Sequence, residues 1–347
     1  MQKIIKMLPI DCFRNISLYC KPYIFSVNKI LHNLYDDIWF KDKLLLEHPD
    51  TNCTKPYKKL YKRYLKSGII SRWNIYDEYK IVCETRIPSI KMSLITDSLY
   101  MLLTFDGTLL SYDMNDHTSF LIATNVIDID HNTYITGKYC YLIADNEQIG
   151  TEIYTKIIIE ADDNLLSVAY NDYYIAACTK NKIYCVNCAY GDDNERTLSV
   201  VYFPHGIIKK ITEMNGHFAI MNTTNMVYLL ESQHKYLMDI TFTNVKKLSG
   251  NICISKDSIS TYQCDYSKII DLSLLDDDLI ESKIYVFDQI MSYGTYLFHG
   301  YLFLSNNILY LYKADKQTYD KIDGIFKKLY TCADIVFTIS FNSINYM

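Results

Sequence analysis

Glycine and proline are scarce in this chain, at 11 and 6 of 347 residues. That excludes collagen-like and Gly/Pro-rich low-complexity architectures. Tryptophan occurs twice, at Trp39 and Trp73, so no repeat signature built on a tryptophan can run through the C-terminal three quarters. No apolar run reaches the roughly 18 residues that a membrane-spanning helix needs. Lys3, Lys6, Asp11 and Arg14 break up any apolar leader, so no secretory signal is expected. There is no Gly-rich phosphate loop, no G-x-S-x-G and no H-E-x-x-H. The expectation is a protein without enzymatic activity, cofactor or metal. The 11 cysteines are odd in number and scattered, which fits a reducing compartment: the cytoplasm, with the nucleus open. Their one tight pair, Cys185 and Cys188, lacks the second pair that a zinc site wants. His131, His205, His217 and His299 are dispersed over turns and strand starts, where surface or satisfied histidines are the simpler reading. The acidic run at Asp276, Asp277 and Asp278 reads as a solvated loop, with a basic partner or Ca²⁺ as the sharper option.

What is present is apolar and aromatic. Hydrophobic residues make up 49% and tyrosines number 33, ample for a sizeable core. With its abundant Ile, Lys and Asn, the composition resembles coding from A+T-rich genomes, including those of the large DNA viruses of protists. The net charge of −5 conceals an asymmetry. Residues 1–73 hold 14 Lys+Arg against 6 Asp+Glu, and the rest hold 21 against 34. A basic N-terminal part on an acidic body implies two modules. Three segments follow: a helical module over 1–50, a basic helical linker over 51–78 and a β domain over 79–347.

The first segment carries helical periodicity. Pro9 suits a first helical turn. Cys12, Phe13, Ile16, Tyr19 and Cys20 then share one face, and Pro22 ends the run. Ile24, Val27, Leu31 and Leu34 step by three and four residues, predicting a second amphipathic helix. Asp36-Asp37 is placed to cap a third helix bearing Ile38 and Trp39. The stretch LPIDCFRNISLYCKPYIFSVNKILHNLYDDIWF resembles an F-box: a Leu-Pro start, an amphipathic helix, a proline break, and an acid before an apolar-Trp pair. Cys12, Cys20 and Lys29-Ile30-Leu31-His32 depart from that pattern. The resemblance implies docking to a Skp adaptor of a cullin ubiquitin ligase through Leu8, Pro9, Phe13, Ile16, Ile24 and Phe25. The plainer alternative is a helical cap packed on the rest of the chain.

KPYKKLYKRYLKSGII follows as a basic helix with Leu60, Tyr61, Tyr64 and Leu65 at helical spacing and Gly68 as its stop. It reads as a linker rather than a nucleic-acid interface.

Beyond residue 80 the periodicity changes to short β-branched and aromatic runs split by Asn, Asp and Gly. Hairpins turn near Gly107, Asn146, Asn181, Asn225, Asp257, Asn307 and Asn342. Leading strands NVIDI, NLLSV, GIIKKI, NVKKL and IFKKL put Val126, Val168, Ile211, Val245 and Leu329 inward. About 39 residues per unit suits a β-propeller, which leaves only short strand edges. Seven blades are expected, with Tyr79–Thr85 returning to complete the last. A β-sandwich pair or an irregular solenoid is the alternative. TFDGTLLSYD and its leading strand resemble the repeats of the regulator of chromosome condensation family, although this chain is poor in that family's glycine, and no exchange activity carries over.

The fold class expected is therefore a small all-α N-terminal module plus an all-β seven-bladed propeller. The expected function is a substrate adaptor of a Skp–cullin–F-box ligase, its propeller holding a target protein of unknown identity. The alternative is a non-catalytic propeller scaffold without a ligase role; an enzyme or exchange factor is the third reading. No membrane partner is expected.

Overall fold

The computed structural model describes Leu18 and residues 36–49, 56–74, 80–95, 98–143, 155–171, 173–188, 197–214, 216–249, 252–255, 258–263, 266–271, 285–289, 300–305, 307–313, 318–332 and 335–340. The chain divides into two compact units, Met1–Ser67 and Gly68–Met347.

In the first unit, α1 (Asp37–Glu47) and α2 (Tyr57–Tyr64) are the helices of two or more turns among the described residues. Asp36 caps α1, its carboxylate accepting the Trp39 N–H at 2.7 Å. That satisfies one of the amides a helix start leaves open. Trp39, Phe40 and Leu44 are buried in α1, and Leu60, Tyr61 and Tyr64 in α2. Phe40 and Tyr61 meet with ring centroids 5.5 Å apart, and Trp39 stands edge-on to both. The basic residues of α2 occupy its other face, as a solvated helix requires.

In the second unit, β1 (Ile70–Asn74) and β2 (Lys80–Glu84) precede a run of antiparallel meanders. The first meander is β3 (Ser89–Leu94), β4 (Leu99–Thr104), β5 (Leu109–Asp113) and β6 (Ser119–Ala123). The second is β7 (Asp128–Asp130), β8 (Thr133–Thr136), β9 (Tyr139–Ile143) and β10 (Thr155–Glu160). The third is β11 (Ser167–Asn171), β12 (Tyr174–Cys178), β13 (Lys182–Asn187) and β14 (Leu198–Tyr202). The fourth is β15 (Ile208–Met214), β16 (His217–Asn222), β17 (Val227–Leu230) and β18 (Leu237–Phe242). Then come β19 (Lys247–Ser249), β20 (Ile252–Ile254), β21 (Ser258–Gln263) and β22 (Tyr266–Asp271). They are followed by β23 (Tyr285–Gln289), β24 (Gly300–Ser305), β25 (Ile308–Lys313) and β26 (Thr318–Ile322). Finally β27 (Phe326–Cys332) and β28 (Ile335–Ser340) join β1 and β2 in a sheet ordered β2-β1-β28-β27.

Blade-to-blade packing explains the apolar runs. Successive residues of a strand point to opposite faces, and an inner blade is covered on both. Ile175 and Ala177 of β12 pack toward the second meander, while Ala176 and Cys178 pack toward the fourth. Tyr184 and Val186 of β13 likewise oppose Ile183 and Cys185. Each strand therefore reads as unbroken hydrophobic sequence rather than alternation.

The fold-class expectation is corrected in three respects. First, the six four-stranded meanders and the closing sheet are present as backbone ladders, but a packed side-chain interior is described for five. These are the sheets of β1/β2/β27/β28, β3–β6, β7–β10, β11–β14 and β15–β18, tied by four hydrophobic clusters, while a fifth packs β15–β18 against Leu248 of β19 and Cys253 of β20. In β19–β22 and β23–β26 the buried side chains among the described residues are Leu248, Cys253, Leu304 and Leu309. A count of seven packed blades is not carried forward. Second, of the three-helix module the third helix, α1, lies among the described residues, and α2 is the basic helix read as a linker; the first two expected helices fall outside the described residues apart from Leu18. Third, Ile70–Asn74, read as linker, is a strand.

That strand makes the seam. β1 pairs with β28 from Ile70↔Ile339 to Trp73↔Val336, and β2 takes the outer place assigned to Tyr79–Thr85. The Trp73 indole donates to Thr338 Oγ1 at 2.7 Å. Gly68 passes so close to the other end of the chain that a Cβ would stand 1.9 Å from the Ser340 carbonyl oxygen. The turn expected at Asn342 lies outside the described residues; around this blade the corresponding connection is the meeting of the two chain ends. The turn expected at Asn146 is displaced as well. The central hairpin of that blade turns at Gly137, between β8 and β9.

Candidate axial site

The innermost strands are β3, β7, β11, β15, β19, β23 and β27, the first of each meander and of the closing sheet. Six of them begin in the same way. The first residue of the strand, or the residue two before it, donates its backbone N–H to the preceding blade's central turn or, at the seam, to Gly68. The six bonds are Ser89 to Gly68, Val126 to Gly107, Leu165 to Gly137, Ile208 to Lys180, Val245 to Asn225 and Phe326 to Asn307, all 2.7–2.9 Å long. Turn chemistry supports these bonds. Asn225 and Asn307 hold φ of 63° and 65°, a left-handed conformation that asparagine tolerates. Gly107 combines φ 91° with a Cβ position 3.2 Å from the Val126 carbonyl, so only glycine fits without strain.

Two residues further on, every one of these strands places a polar side chain: Lys91, Asp128, Ser167, Lys210, Lys247 and Lys328. Their cross-strand partners are Leu103, Ile135, Cys178, Met221, Ile254 and Ile339, each the residue just before the blade's central turn begins. The six therefore share one level of the propeller and form a collar around its axis.

The collar is joined from blade to blade. Lys328 donates to the Ile90 carbonyl at 3.5 Å. Lys91 pairs with Asp128 at 3.0 Å. Asp128 Oδ2 accepts the Ser167 hydroxyl at 2.8 Å and the Val168 N–H at 3.2 Å. Ser167 Oγ also lies 3.1 Å from the Ile211 carbonyl. Lys210 donates to the Leu248 carbonyl at 3.1 Å. Each group reaches the next inner strand, so five consecutive blade junctions are bridged by side chains. Asp130 adds a parallel tie by accepting the Tyr170 N–H at 2.9 Å.

Burial pushes the pKa of Asp128 up. Lys91, the Ser167 hydroxyl and Lys210 more than offset this, and its carboxyl stays below the usual carboxylate range. Lys210 moves the other way. Burial and the like charge of Lys91 outweigh Asp128 and Asp130, and its pKa is lowered to about 8.

The residues singled out in sequence are not brought to this place. Leu8, Pro9, Phe13, Ile16, Ile24 and Phe25 lie outside the described residues, as do His299, Asp276, Asp277 and Asp278. His131 packs edge-on to Tyr170 and His205 stacks on Tyr228 at 4.3 Å, both in aromatic contacts. Cys185 and Cys188 face opposite blade interfaces, so they cannot close on one ion. Burial raises the pKa of Cys178 and of Cys185 to about 12, which leaves inert thiols. Among the described residues no three His, Cys, Asp or Glu side chains are grouped to hold a metal. None of their helices is long and apolar enough to cross a membrane.

The collar escaped sequence reading, which used the leading strands only for their apolar residues. The signal was an apolar residue followed by two lysines in GIIKKI, NVKKL and IFKKL: the second lysine stands two residues after the buried Ile208, Val245 or Phe326.

No family model matches the chain, and no curated protein does. Among solved structures it is similar to the WD40 domain of Pan2 from Neurospora crassa, at 12% identity and a TM-score of 0.44, covering 73% of this chain and 90% of that one. It is also similar to Hsv2 from Kluyveromyces lactis, at 10% identity and a TM-score of 0.48, covering 75% and 92%. A third likeness is to the WD40 repeats of RRP9, at 9% identity and a TM-score of 0.48, covering 78% and 97%.

Proposed function

We propose that this protein is a non-catalytic interaction scaffold whose propeller presents a rigid surface to a partner protein. The observation that carries this reading is the collar: side chains bridge five successive blade junctions at one level, and β1 and β28 clasp the ends. Such a frame holds its turns at fixed spacing, which lowers the ordering cost that binding exacts. The test is cross-linking and mass spectrometry on the intact chain expressed in eukaryotic cells. A partner cross-linked reproducibly to propeller residues supports the scaffold. An intact chain that recovers no partner above a tag-only control overturns it.

The finer form of the proposal makes the scaffold a ubiquitin-ligase adaptor. It rests on the F-box resemblance, with Leu8, Pro9, Phe13, Ile16, Ile24 and Phe25 meeting a Skp adaptor. Co-purification of that adaptor and a cullin, lost on combining Leu8→Ala with Pro9→Ala, supports it. Adaptor binding that survives both substitutions removes those residues from the contact, and absence of adaptor and cullin from the purified intact chain removes the ligase role.

A further inference from the structure

We propose that the outer strand β14 pairs with β14 of a second copy of this chain, across a two-fold axis through Val200. An outer strand ends each meander and the closing sheet, and all but one of these edges are guarded. β2, β10, β18, β22 and β26 carry charged residues, among them Lys80, Lys156, Asp239, Lys268 and Asp320. β6 carries none, but its register against β5 shifts between Leu109 and Leu110. Such an irregularity turns an edge away from a flat partner. β14 has neither device. It reads LSVVY and keeps unbroken register with β13 from Lys182↔Tyr202 to Val186↔Leu198.

The backbone of β14 is turned outward as a strand partner needs. Phe203 donates its N–H to the Asn181 carbonyl, in the turn before β13, at 2.9 Å. Backbone groups alternate in direction along an antiparallel ladder. Val201 and Ser199 therefore also point theirs at β13, and Leu198, Val200 and Tyr202 point theirs away from it. β14 ends its sheet, and among the described residues nothing bonds to these outward groups. The same three residues present apolar side chains that are 47%, 53% and 65% exposed. The opposite face is already held. Val201 packs into the cluster shared with the fourth meander, and Lys235 donates to the Ser199 hydroxyl at 2.9 Å. The strand is thus fixed in place before a partner arrives.

A second copy is the partner this edge matches. Antiparallel pairing about Val200 sets Val200 against Val200 of the other copy, and Leu198 against Tyr202 on either side. These are the positions with outward N–H and C=O, so each pair exchanges hydrogen bonds, and every exposed apolar side chain meets another. That is the self-complementarity a two-fold interface requires. Since the chain has one unguarded edge, pairing stops at the dimer.

The scaffold reading concerns a different protein, so this inference can fail while that one stands. Sedimentation velocity of the intact chain tests it. An edge of 5 residues is small, so a dissociation constant of about 1–100 μM is expected. Across that range the mass should rise from one chain to two and no further. Val200→Lys and Val200→Asp should each stay monomeric, because like charges then oppose one another at the axis. Mixed in equal amounts they should associate again, since the axis sets lysine against aspartate. Tyr202→Glu, at the most exposed of the three positions, should weaken association about tenfold or more. It serves in place of a Val200 variant that circular dichroism shows to be unfolded.

Leu121→Lys is the control, at an exposed position on the shifted strand β6, and should dimerise like wild type. A wild-type chain that stays monomeric throughout overturns the proposal, as does association that survives the substitutions on β14. Failure of the mixed Val200 variants to associate, or growth beyond the dimer, overturns it equally.

Discussion

The two arcs of the collar solve the same packing problem with opposite chemistry. On β3, β7 and β11 a lysine, an aspartate and a serine close on one another, and the buried carboxylate gains an ion pair and two further hydrogen bonds. On β15, β19 and β27 the same register holds lysines, and Lys210 and Lys328 donate to backbone carbonyls. The first arc pairs Lys91 with Asp128, and Asp128 and Asp130 also act on Lys210 of the second. The second keeps its blades aligned while concentrating positive charge. A lysine can therefore be anchored across a blade junction by a backbone carbonyl as well as by an opposite charge.

The strongest way to break this contrast is Asp128→Asn. It removes the charge that offsets Lys91 and Lys210 and turns the closed arc into a second cationic one. Unpairing a partly buried ion pair is expected to cost about 3–5 kcal/mol in urea denaturation. The carboxylate's pKa is held down in the fold, so its contribution is present above about pH 4 and disappears as acid protonates it. The gap between wild type and Asp128→Asn should close on that side.

Lys210→Met acts on the other arc and in the other direction. The folded-state pKa of Lys210 is about 8, below its ordinary 10.5. At lower pH the amine is charged in both states, and the full cost of holding it charged is paid by the fold. As pH rises through about 8 the folded protein releases the proton first, so wild-type stability should rise until about 10.5, by at most about 3 kcal/mol. Lys210→Met should be more stable than wild type at neutral pH and should lack that rise, as measured by urea midpoints across the range.

Ser167→Ala keeps the ion pair and removes one donor from the Asp128 carboxylate. A loss of about 1–2 kcal/mol is expected, with the acid limb of the stability profile moved to higher pH. Asp130→Asn is the mildest change. Its amide oxygen can still accept the Tyr170 N–H, so a loss of about 0.5 kcal/mol is expected. It also makes Lys210 easier to deprotonate.

Sequence patterning recovers a good deal of the β domain. Val126, Val168, Ile211, Val245 and Leu329, read as inward residues of leading strands, are all buried. Gly107, Asn181, Asn225 and Asn307 all lie in the central turns, between the second and third strands of their meanders. The displaced Asn146 turn has a local cause: YCYLIAD holds the third strand of its blade, and the short β7 and β8 before it give little β-periodicity. Ile70–Asn74 was hidden by its place after a basic helix, because a strand of five residues depends on its distant partner β28. The collar was hidden for another reason. Lysines in a leading strand read as surface residues, and only closure of the ring brings positions from Lys91 to Lys328 to one level. Residues 8–25, which carry most of the F-box resemblance, lie outside the described residues apart from Leu18.

The seam has a temporal consequence. The Trp73 indole meets Thr338 across 265 residues of chain, and β1 has its inner neighbour only when β28 arrives. Contacts of such separation form late, since their loop entropy must be overcome before they contribute. During synthesis the middle blades can stack in the order they emerge, while Ile70–Asn74 waits with an open edge. Translation time, and whatever shields that edge meanwhile, therefore governs whether the ring closes on itself or is joined by a strand from another chain.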